Sequence, residues 1–216
     1  MTEGTDDDGG TNEPTAGGPS HVLVVEDDPD TRDLYADCLV DAYDVTAVAT
    51  GEAAVAALDD SVDVVLLDRR MPDLHGDDVL ELIRESGVDV RVAVVTGVDA
   101  DLDLVGLSVD AYVEKPVGSG ELRETVDRLV RVGRYDDRVR RYCAATQKLA
   151  ALDDAPSVSD HDAAYRELVR RRETLERGID DLRGALDAAD YELLFRGIGG
   201  DGASDAAPPA SDDLPV

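Results

Sequence analysis

Five polar side chains stand at or just beyond the ends of apolar runs in the sequence. Glu26 and Asp27 follow the first run, Asp68 ends the third, Thr96 ends the fourth, and Lys115 lies just beyond the fifth. Because ligands of an open parallel α/β sheet bind at the carboxyl ends of its strands, we expect these side chains to meet at one rim. Carboxylates, a hydroxyl and an ammonium are the groups needed to transfer a phosphoryl group to an aspartate.

The acidic members of this set predict a magnesium site. Asp68 is the candidate nucleophile, and its negative charge would repel an incoming phosphoryl group unless a cation lay beside it. Magnesium prefers hard oxygen ligands and retains several waters, so Asp27, Asp68 and a backbone carbonyl near Arg70 are the expected ligands. Glu26 would support the metal through a water molecule. Without a cation, three clustered acids would raise the pKa of at least one of them.

Thr96 and Lys115 are suited to bind the transferred group. The Thr96 hydroxyl can donate to a phosphoryl oxygen, and the Lys115 ammonium can pair with the developing charge. Lys115 is one of only two lysines in a chain that otherwise uses arginine, and it falls where a compact ammonium is needed. Asp28 is interpreted differently, as an acid that interacts with the dipole at a helix start.

The apolar runs themselves predict five strands. Those at residues 22–25, 64–67 and 92–95 are continuous and rich in Val and Leu, which is typical of parallel strands covered on both faces. Shorter runs at 45–49 and 111–113 complete the set.

The segments between these strands predict helices at 29–40, 52–58 and 77–85, the first with an early Pro and the second behind a Thr50 cap. This alternation of strand and helix predicts an α/β fold with a doubly wound five-stranded parallel sheet.

From residue 121 onward the sequence pattern is helical only. A first helix is expected from near Glu121 toward Leu152, and the Pro-containing segment 153–160 interrupts the pattern. A second helix carries a heptad seam of about four repeats. Its seam residues are Tyr165, Leu168, Leu175, Ile179, Leu182, Leu186, Ala189 and Leu193. The two helices are expected to pack as a hairpin or coiled coil, within one chain or in a homodimer, and ordinary core packing explains the seam more simply than a partner groove.

Charge is the most unusual bulk property of the chain, with 50 acidic against 21 basic residues and a formal net charge of -29. Self-repulsion of this size destabilises a compact state in dilute buffer but is screened in strong salt, so we interpret the surface as halophilic. The acidity also disfavours a broad DNA-binding surface, because nonspecific DNA affinity depends on Lys and Arg displacing counterions.

Other patterns exclude further classes. Residues 1–20 and 199–216 are rich in Gly, Asp and Pro and are expected to be disordered tails. The two cysteines form no CxxC pair and the three histidines no HxH spacing, which disfavours a transition-metal site. No signal peptide or apolar segment of membrane length is recognised, so we expect a cytoplasmic protein with no membrane contact.

Four motifs resemble the receiver domains of two-component response regulators, over about residues 21–130. They are VLVVEDD, VVLLDRRMPDLHG, VVTG and YVEKP, in the family's order and near its spacing. The resemblance implies a flavodoxin-like fold with strand order 2-1-3-4-5. It also implies roles: Glu26 and Asp27 as the acidic pair, Asp68 as phosphoacceptor, Thr96 as switch hydroxyl, Lys115 as the family's lysine and Tyr112 as aromatic rotamer switch. Tyr112 has a plainer alternative, a partly buried aromatic on an edge strand.

Two features modify this resemblance. The segment GVDADLDLVGLSVDAYVE between Thr96 and Lys115 is shorter than usual in the family, so the fourth receiver helix is expected to be short or irregular. Residues 131–198 resemble, more loosely, the HalX-type helical domain that follows receivers in haloarchaea.

The leading hypothesis is a phosphorelay response regulator in which Asp68 accepts a phosphoryl group from a sensor histidine kinase with Mg2+ and switches the helical module. The alternatives are a transcriptional regulator that binds DNA through the C-terminal helices, although no helix-turn-helix or basic stripe is evident, and a coiled-coil adaptor for an unknown protein effector. Turnover of an external substrate, as in a metabolic enzyme, is not expected.

Overall fold

The computed structural model describes residues 18–72, 74–97, 109–153 and 162–199. Strands and helices alternate through the first part: β1 (His21–Val25), α1 (Pro29–Leu39), β2 (Asp44–Val48), α2 (Gly51–Ala57), β3 (Val62–Asp68), α3 (Gly76–Glu85), β4 (Arg91–Thr96) and β5 (Ala111–Glu114). Three helices follow: α4 (Ser119–Asp153), α5 (Ala163–Arg183) and α6 (Ala188–Gly199).

The five strands form one sheet in the order β2-β1-β3-β4-β5, and all neighbouring strands are parallel. The doubly wound α/β fold and its strand order are therefore confirmed. Because every strand runs in the same direction, all five carboxyl ends lie along one edge, where a site is expected.

Helices cover both faces of this sheet, and alternate strand residues point to opposite faces. Val24 and Leu66 lie in a buried cluster with residues of α1 and α4. Leu23 and Leu67 lie in a second buried cluster with residues of α2 and α3. Because both faces of the sheet are buried under helices, the strand sequences are continuously apolar and do not alternate between apolar and polar residues.

Side chains at the predicted positions cap the helices that follow the strands. The Asp28 carboxylate accepts a hydrogen bond of 2.8 Å from the backbone N–H of Thr31, and the Thr50 hydroxyl accepts one of 3.1 Å from Ala53. Each cap satisfies a backbone N–H that the first turn of the helix would otherwise leave unpaired. Asp28 thus acts as a helix-start residue, as predicted, and its contact lowers the pKa of its carboxyl group.

The long helix α4 belongs to both parts of the chain. Its first turns bury Leu122, Val126 and Leu129 against the sheet, whereas its second half packs against α5 to form the predicted hairpin. Gly178 of α5 permits the close contact, since an added Cβ would lie 2.3 Å from Nη1 of Arg138. The same guanidinium donates a 3.0 Å hydrogen bond to the Gly178 carbonyl.

The second predicted helix differs from the expectation, because it is two helices rather than one. α5 ends at Arg183 and α6 begins at Ala188. The Asp187 carboxylate accepts a 2.9 Å hydrogen bond from the N–H of Asp190, and the Asp190 carboxylate accepts one of 3.0 Å from the N–H of Asp187. This reciprocal capping box starts a new helix after Gly184 and interrupts the heptad seam.

Several expectations fall outside the described residues. The short fourth receiver helix was expected within 97–114, of which 98–108 are not described. The same holds for 1–17 and 200–216, which make up most of the two tails, and for 154–161 between α4 and α5.

Candidate functional site

Three carboxylates meet at the carboxyl edge of the sheet. Glu26, Asp27 and Asp68 each present an oxygen, and these oxygens lie within 4.8 Å of one another. Glu26 and Asp68 are buried, with 2% and 6% of their surfaces exposed, while Asp27 is half-buried. Hard oxygen donors grouped this closely match the ligand preference of Mg2+.

The loop after β1 is held in place by contacts with its neighbours. The N–H of Glu26 donates a 3.1 Å hydrogen bond to the Val48 carbonyl of the adjacent strand. The guanidinium of Arg32, on α1, donates to the carbonyl oxygens of Glu26 and Asp27 at 2.9 and 3.3 Å. Arg32 was not predicted from the sequence, because an arginine on a helix carries no signal that it reaches back to the preceding loop.

Lys115 brings the positive charge of the site. Its Nζ lies 2.7 Å from Oε2 of Glu26 and 3.2 Å from Oδ2 of Asp68. Its backbone N–H donates a 2.8 Å hydrogen bond to the Thr96 carbonyl, which ties the loop after β5 to the end of β4. Three of the predicted residues therefore form one contact group, and Asp27 adjoins it.

Burial and charge act on these groups in opposite directions. Burial raises the pKa of Glu26, and the hydrogen bond from Lys115 offsets only part of that effect. Burial by itself would lower the pKa of Lys115, but the hydrogen bond to Glu26 and the charge of Asp68 outweigh it and raise that pKa. The ammonium therefore stays protonated beside the two carboxylates.

The loop after Asp68 keeps this carboxylate in place. The N–H of Arg70 donates a 3.2 Å hydrogen bond to Oδ1 of Asp68, and the N–H of Gly76 donates one of 3.0 Å to the Arg69 carbonyl. A Cβ at Gly76 would lie 2.7 Å from the Asp68 carbonyl oxygen, so only glycine fits without a shift of the backbone. Gly76 therefore serves the geometry of the loop that follows Asp68.

Thr96 ends β4, whereas Tyr112 lies within the neighbouring strand β5, opposite Val94. Thr96 is buried, with 4% exposed, at the end of β4, one residue beyond the sheet partner of Asp68. Tyr112 lies on the edge strand β5 and is 39% exposed.

Family comparisons agree with this arrangement. The response regulator receiver domain matches residues 22–127, and the HalX domain matches residues 131–195. The chain contains a response regulator receiver domain and a HalX domain. Every predicted site residue, from Glu26 to Lys115, lies within the receiver domain.

Solved structures resemble the receiver domain. A signal receiver domain from Vibrio parahaemolyticus is 28% identical with a TM-score of 0.53, and the match covers 56% of this chain and 98% of that one. A CheY-like receiver domain from Methanospirillum hungatei shares the fold at 24% identity and a TM-score of 0.50, with coverage of 55% and 99%.

The curated relatives that the chain matches are longer than the chain itself. A Haloferax volcanii protein named "Putative transcriptional regulator" is 43% identical over 178 residues, which are 81% of this chain but 28% of the relative. The sensory transduction protein RegX3 of Mycobacterium tuberculosis is 37% identical over 54% of this chain and 53% of its own length. The chain thus spans about a quarter of one relative and half of the other.

Among the described residues, no helix combines the length and the apolar character needed to cross a bilayer.

Proposed function

We propose that this chain is a response regulator, which accepts a phosphoryl group on Asp68 from a sensor histidine kinase and passes the resulting change to its C-terminal helices. The observation that carries the proposal is the convergence of Glu26, Asp27, Asp68 and the Lys115 ammonium in one pocket. A buried nucleophilic carboxylate beside further acids and a fixed cation is what phosphoryl transfer to aspartate requires.

The donor set of the pocket fits a magnesium ion. Asp27 and Asp68 would hold it through their carboxylates and Arg70 through its backbone carbonyl, while Glu26 would contribute through a water molecule. When bound, the ion neutralises negative charge on the phosphoryl oxygens.

The residues of the chain have separate roles in the transfer. An Oδ atom of Asp68 attacks phosphorus, and the new O–P bond forms as the P–N bond to the kinase histidine breaks, so that the electron pair leaves with the ring nitrogen. Lys115, held in place by Glu26, pairs with one phosphoryl oxygen. The Thr96 hydroxyl donates to another.

Acetyl phosphate tests this proposal without knowledge of the kinase. With Mg2+, the wild-type chain should gain the mass of one acid-labile phosphoryl group as acetate leaves, and Asp68→Asn should gain none. Asp78→Asn is the matched control, because Asp78 is an exposed aspartate of α3 outside the pocket. An unmodified wild type, or equal labelling of Asp68→Asn, would refute the proposal.

A second candidate function, regulation of transcription through DNA contact by the C-terminal helices, has two supporting observations. One is the name of the Haloferax volcanii relative. The other is charge, since residues 131–198 hold 13 of the 21 basic residues but only 14 of the 50 acidic ones. This part of the chain is therefore almost neutral in an otherwise strongly acidic protein.

Mobility shifts at several salt concentrations distinguish this candidate. Arg166 and Arg177 are exposed on α5 and lie near one face, being eleven residues apart. If they contact phosphates, Arg166→Gln with Arg177→Gln should weaken binding and flatten its salt dependence by about one unit of slope per lost contact. The control is Lys148→Gln on α4, and equal curves for all three proteins would reject the candidate.

A further inference from the structure

A charged cluster lies at the amino ends of β4 and β5, opposite the candidate site. Asp110 accepts hydrogen bonds from Arg91 at 2.8 Å, from Arg84 at 3.0 Å and from the N–H of Val92 at 2.8 Å. The side chains of Arg91 and Asp110 are only 15% and 14% exposed. We call Arg84, Arg91, Asp110 and Asp136 the basal ion cluster.

The basal ion cluster reaches α4 through Asp136, which pairs with the second amino group of Arg91. Gly133, one turn earlier, lies beside the Arg91 side chain, and an added Cβ would be at ordinary contact distance, 3.4 Å, from its Cγ. A further pair joins Arg140 of α4 to Asp89, but both partners are largely exposed and such pairs contribute little.

Between Val132 and Ala145, α4 combines charged contacts with side chains that are only partly buried. Val132 is fully buried, and the next buried residues of α4, Ala145 and Leu149, lie in the half of the helix that packs against α5. None of the α4 residues between 132 and 145 is buried. Apolar contacts are non-directional, whereas a guanidinium that bridges two carboxylates has fixed geometry.

The same two strands connect the basal ion cluster to the candidate site. β4 starts with Arg91 and ends with Thr96, and β5 is flanked by Asp110 and Lys115. The two strands are paired in parallel register, with Val94 opposite Tyr112. A strand of this length spans about 16 Å and is stiff along its axis, so a displacement at one end is carried to the other.

We propose that the basal ion cluster sets the orientation of the α4–α5 hairpin and couples it to the positions of β4 and β5, with Asp110 and Asp136 as positioning residues. Movement of Thr96 or Lys115 toward a phosphoryl group shifts these strands, and Arg91 transmits the shift to Asp136. The dependence on phosphorylation rests on the function proposed above, whereas the fixed orientation of the hairpin does not.

Asp136→Asn tests the inference by removing only the α4 partner of the cluster. Asp137→Asn is the matched control, because Asp137 pairs with Arg141 of the same helix and not with the receiver domain. Spin labels are placed on exposed Cys143 of α4 and on Glu52→Cys of α2, in a Cys38→Ala background. Double electron–electron resonance then gives the distance distribution between receiver domain and hairpin, with and without Mg2+ and acetyl phosphate.

Asp137→Asn should keep the wild-type distribution and its shift on phosphorylation. Asp136→Asn should widen the distribution about twofold, as expected when a fixing contact is lost, and should lose the shift while still gaining the phosphoryl mass. Asp136→Glu, which retains the charge, should restore part of both properties. Circular dichroism shows whether each variant is folded.

Equal widths for Asp136→Asn and Asp137→Asn would overturn the inference, and so would equal shifts on phosphorylation. If the wild type gains no phosphoryl mass, the proposed function fails instead, and the widths measured without acetyl phosphate still decide whether the basal ion cluster orients the hairpin.

Discussion

Asp27 and Asp28 are adjacent aspartates in different environments. Asp27 lies in the group of carboxylates that could hold a metal, whereas Asp28 caps α1. If the proposed magnesium site is correct, Asp27→Asn should weaken Mg2+ binding about tenfold or more, because it removes a charged ligand.

Asp28→Asn provides the control for that measurement. Asparagine caps a helix about as well as aspartate, so this variant should bind Mg2+ nearly as tightly as the wild type. Isothermal titration of both variants with MgCl2 gives the comparison. Equal losses of affinity would mean that net charge, and not ligation by Asp27, governs the binding.

At the scale of residues, the site was predictable where side chains follow strand ends. The carboxyl edge of a parallel sheet gathers such residues whatever the details of packing, and Glu26, Asp68 and Lys115 meet there. Long side chains were not predictable in the same way. Arg32 and Arg91 reach their partners through several rotatable bonds, so their contacts depend on packing that periodicity does not encode.

At the scale of elements, ion pairs with a buried carboxylate attach α6 to α4. Asp190 is fully buried and accepts two 3.1 Å hydrogen bonds from Arg131, with Arg128 3.6 Å away. Breaking a buried pair costs about 3–5 kcal/mol, but both arginines are about one-third exposed, so about 2 kcal/mol is expected here.

Asp190→Asn should therefore loosen α6 selectively. Hydrogen exchange followed by mass spectrometry should show faster exchange in α6 than in the wild type, with α5 and the sheet little changed. Asp180→Asn is the control, since Asp180 forms only an exposed pair with Arg183. Unchanged protection of α6 in Asp190→Asn would show that apolar contacts such as those of Leu193 and Leu194 suffice to hold the helix.

The start of α6 also predicts a dependence on pH. The N–H of Asp190 lowers the pKa of the Asp187 carboxyl group, so its charged form is favoured in the folded chain. The resulting stabilisation is complete above the unfolded pKa, about 4, and is lost as the pH falls through the lower folded value.

A variant isolates this contribution. The difference in unfolding midpoint between the wild type and Asp187→Asn should be constant above about pH 4 and should shrink below it. Circular dichroism melts across pH measure that difference, with exposed Asp181→Asn as the comparison. A difference that grows as the pH falls would contradict the assignment.

The helices of the C-terminal part show what an apolar seam can and cannot predict. The seam correctly indicated helices that pack lengthwise, because helical periodicity depends on local spacing alone. The seam did not predict the break between α5 and α6, because Leu186 and Ala189 maintain the helical spacing across that break. Gly184 and the reciprocal caps of Asp187 and Asp190 cause the break. The hydrogen bonds from these side chains to the backbone compete with the hydrogen bonds that would continue α5.

At the scale of the whole molecule, the net charge of -29 predicts a strong effect of salt on stability. Raising NaCl from about 0.1 M to about 1 M shortens the Debye length from about 10 to about 3 Å, so repulsion among the acidic groups weakens. The thermal midpoint should rise by several degrees.

Sucrose at matched osmolality separates screening from solute exclusion, which also favours compact states. If the midpoint rises equally in sucrose, or does not rise in NaCl, repulsion between charges is not what limits stability. The strand order was predictable at this scale only through the resemblance to receiver domains, because doubly wound sheets occur in more than one order. The placement of the hairpin was not, because it depends on individual contacts such as Arg91 with Asp136.

The continuity of α4 has a mechanical consequence. About 20 residues of this helix extend beyond Gly133, a length of about 30 Å. The helix has no intervening loop that could absorb a rotation of its base. A rigid lever of that length turns a tilt of about 10° at its base into a displacement of about 5 Å at its tip. Shifts of about an ångström in the sheet therefore become larger displacements at the far end of the hairpin. Any partner bound at that end would be displaced with it.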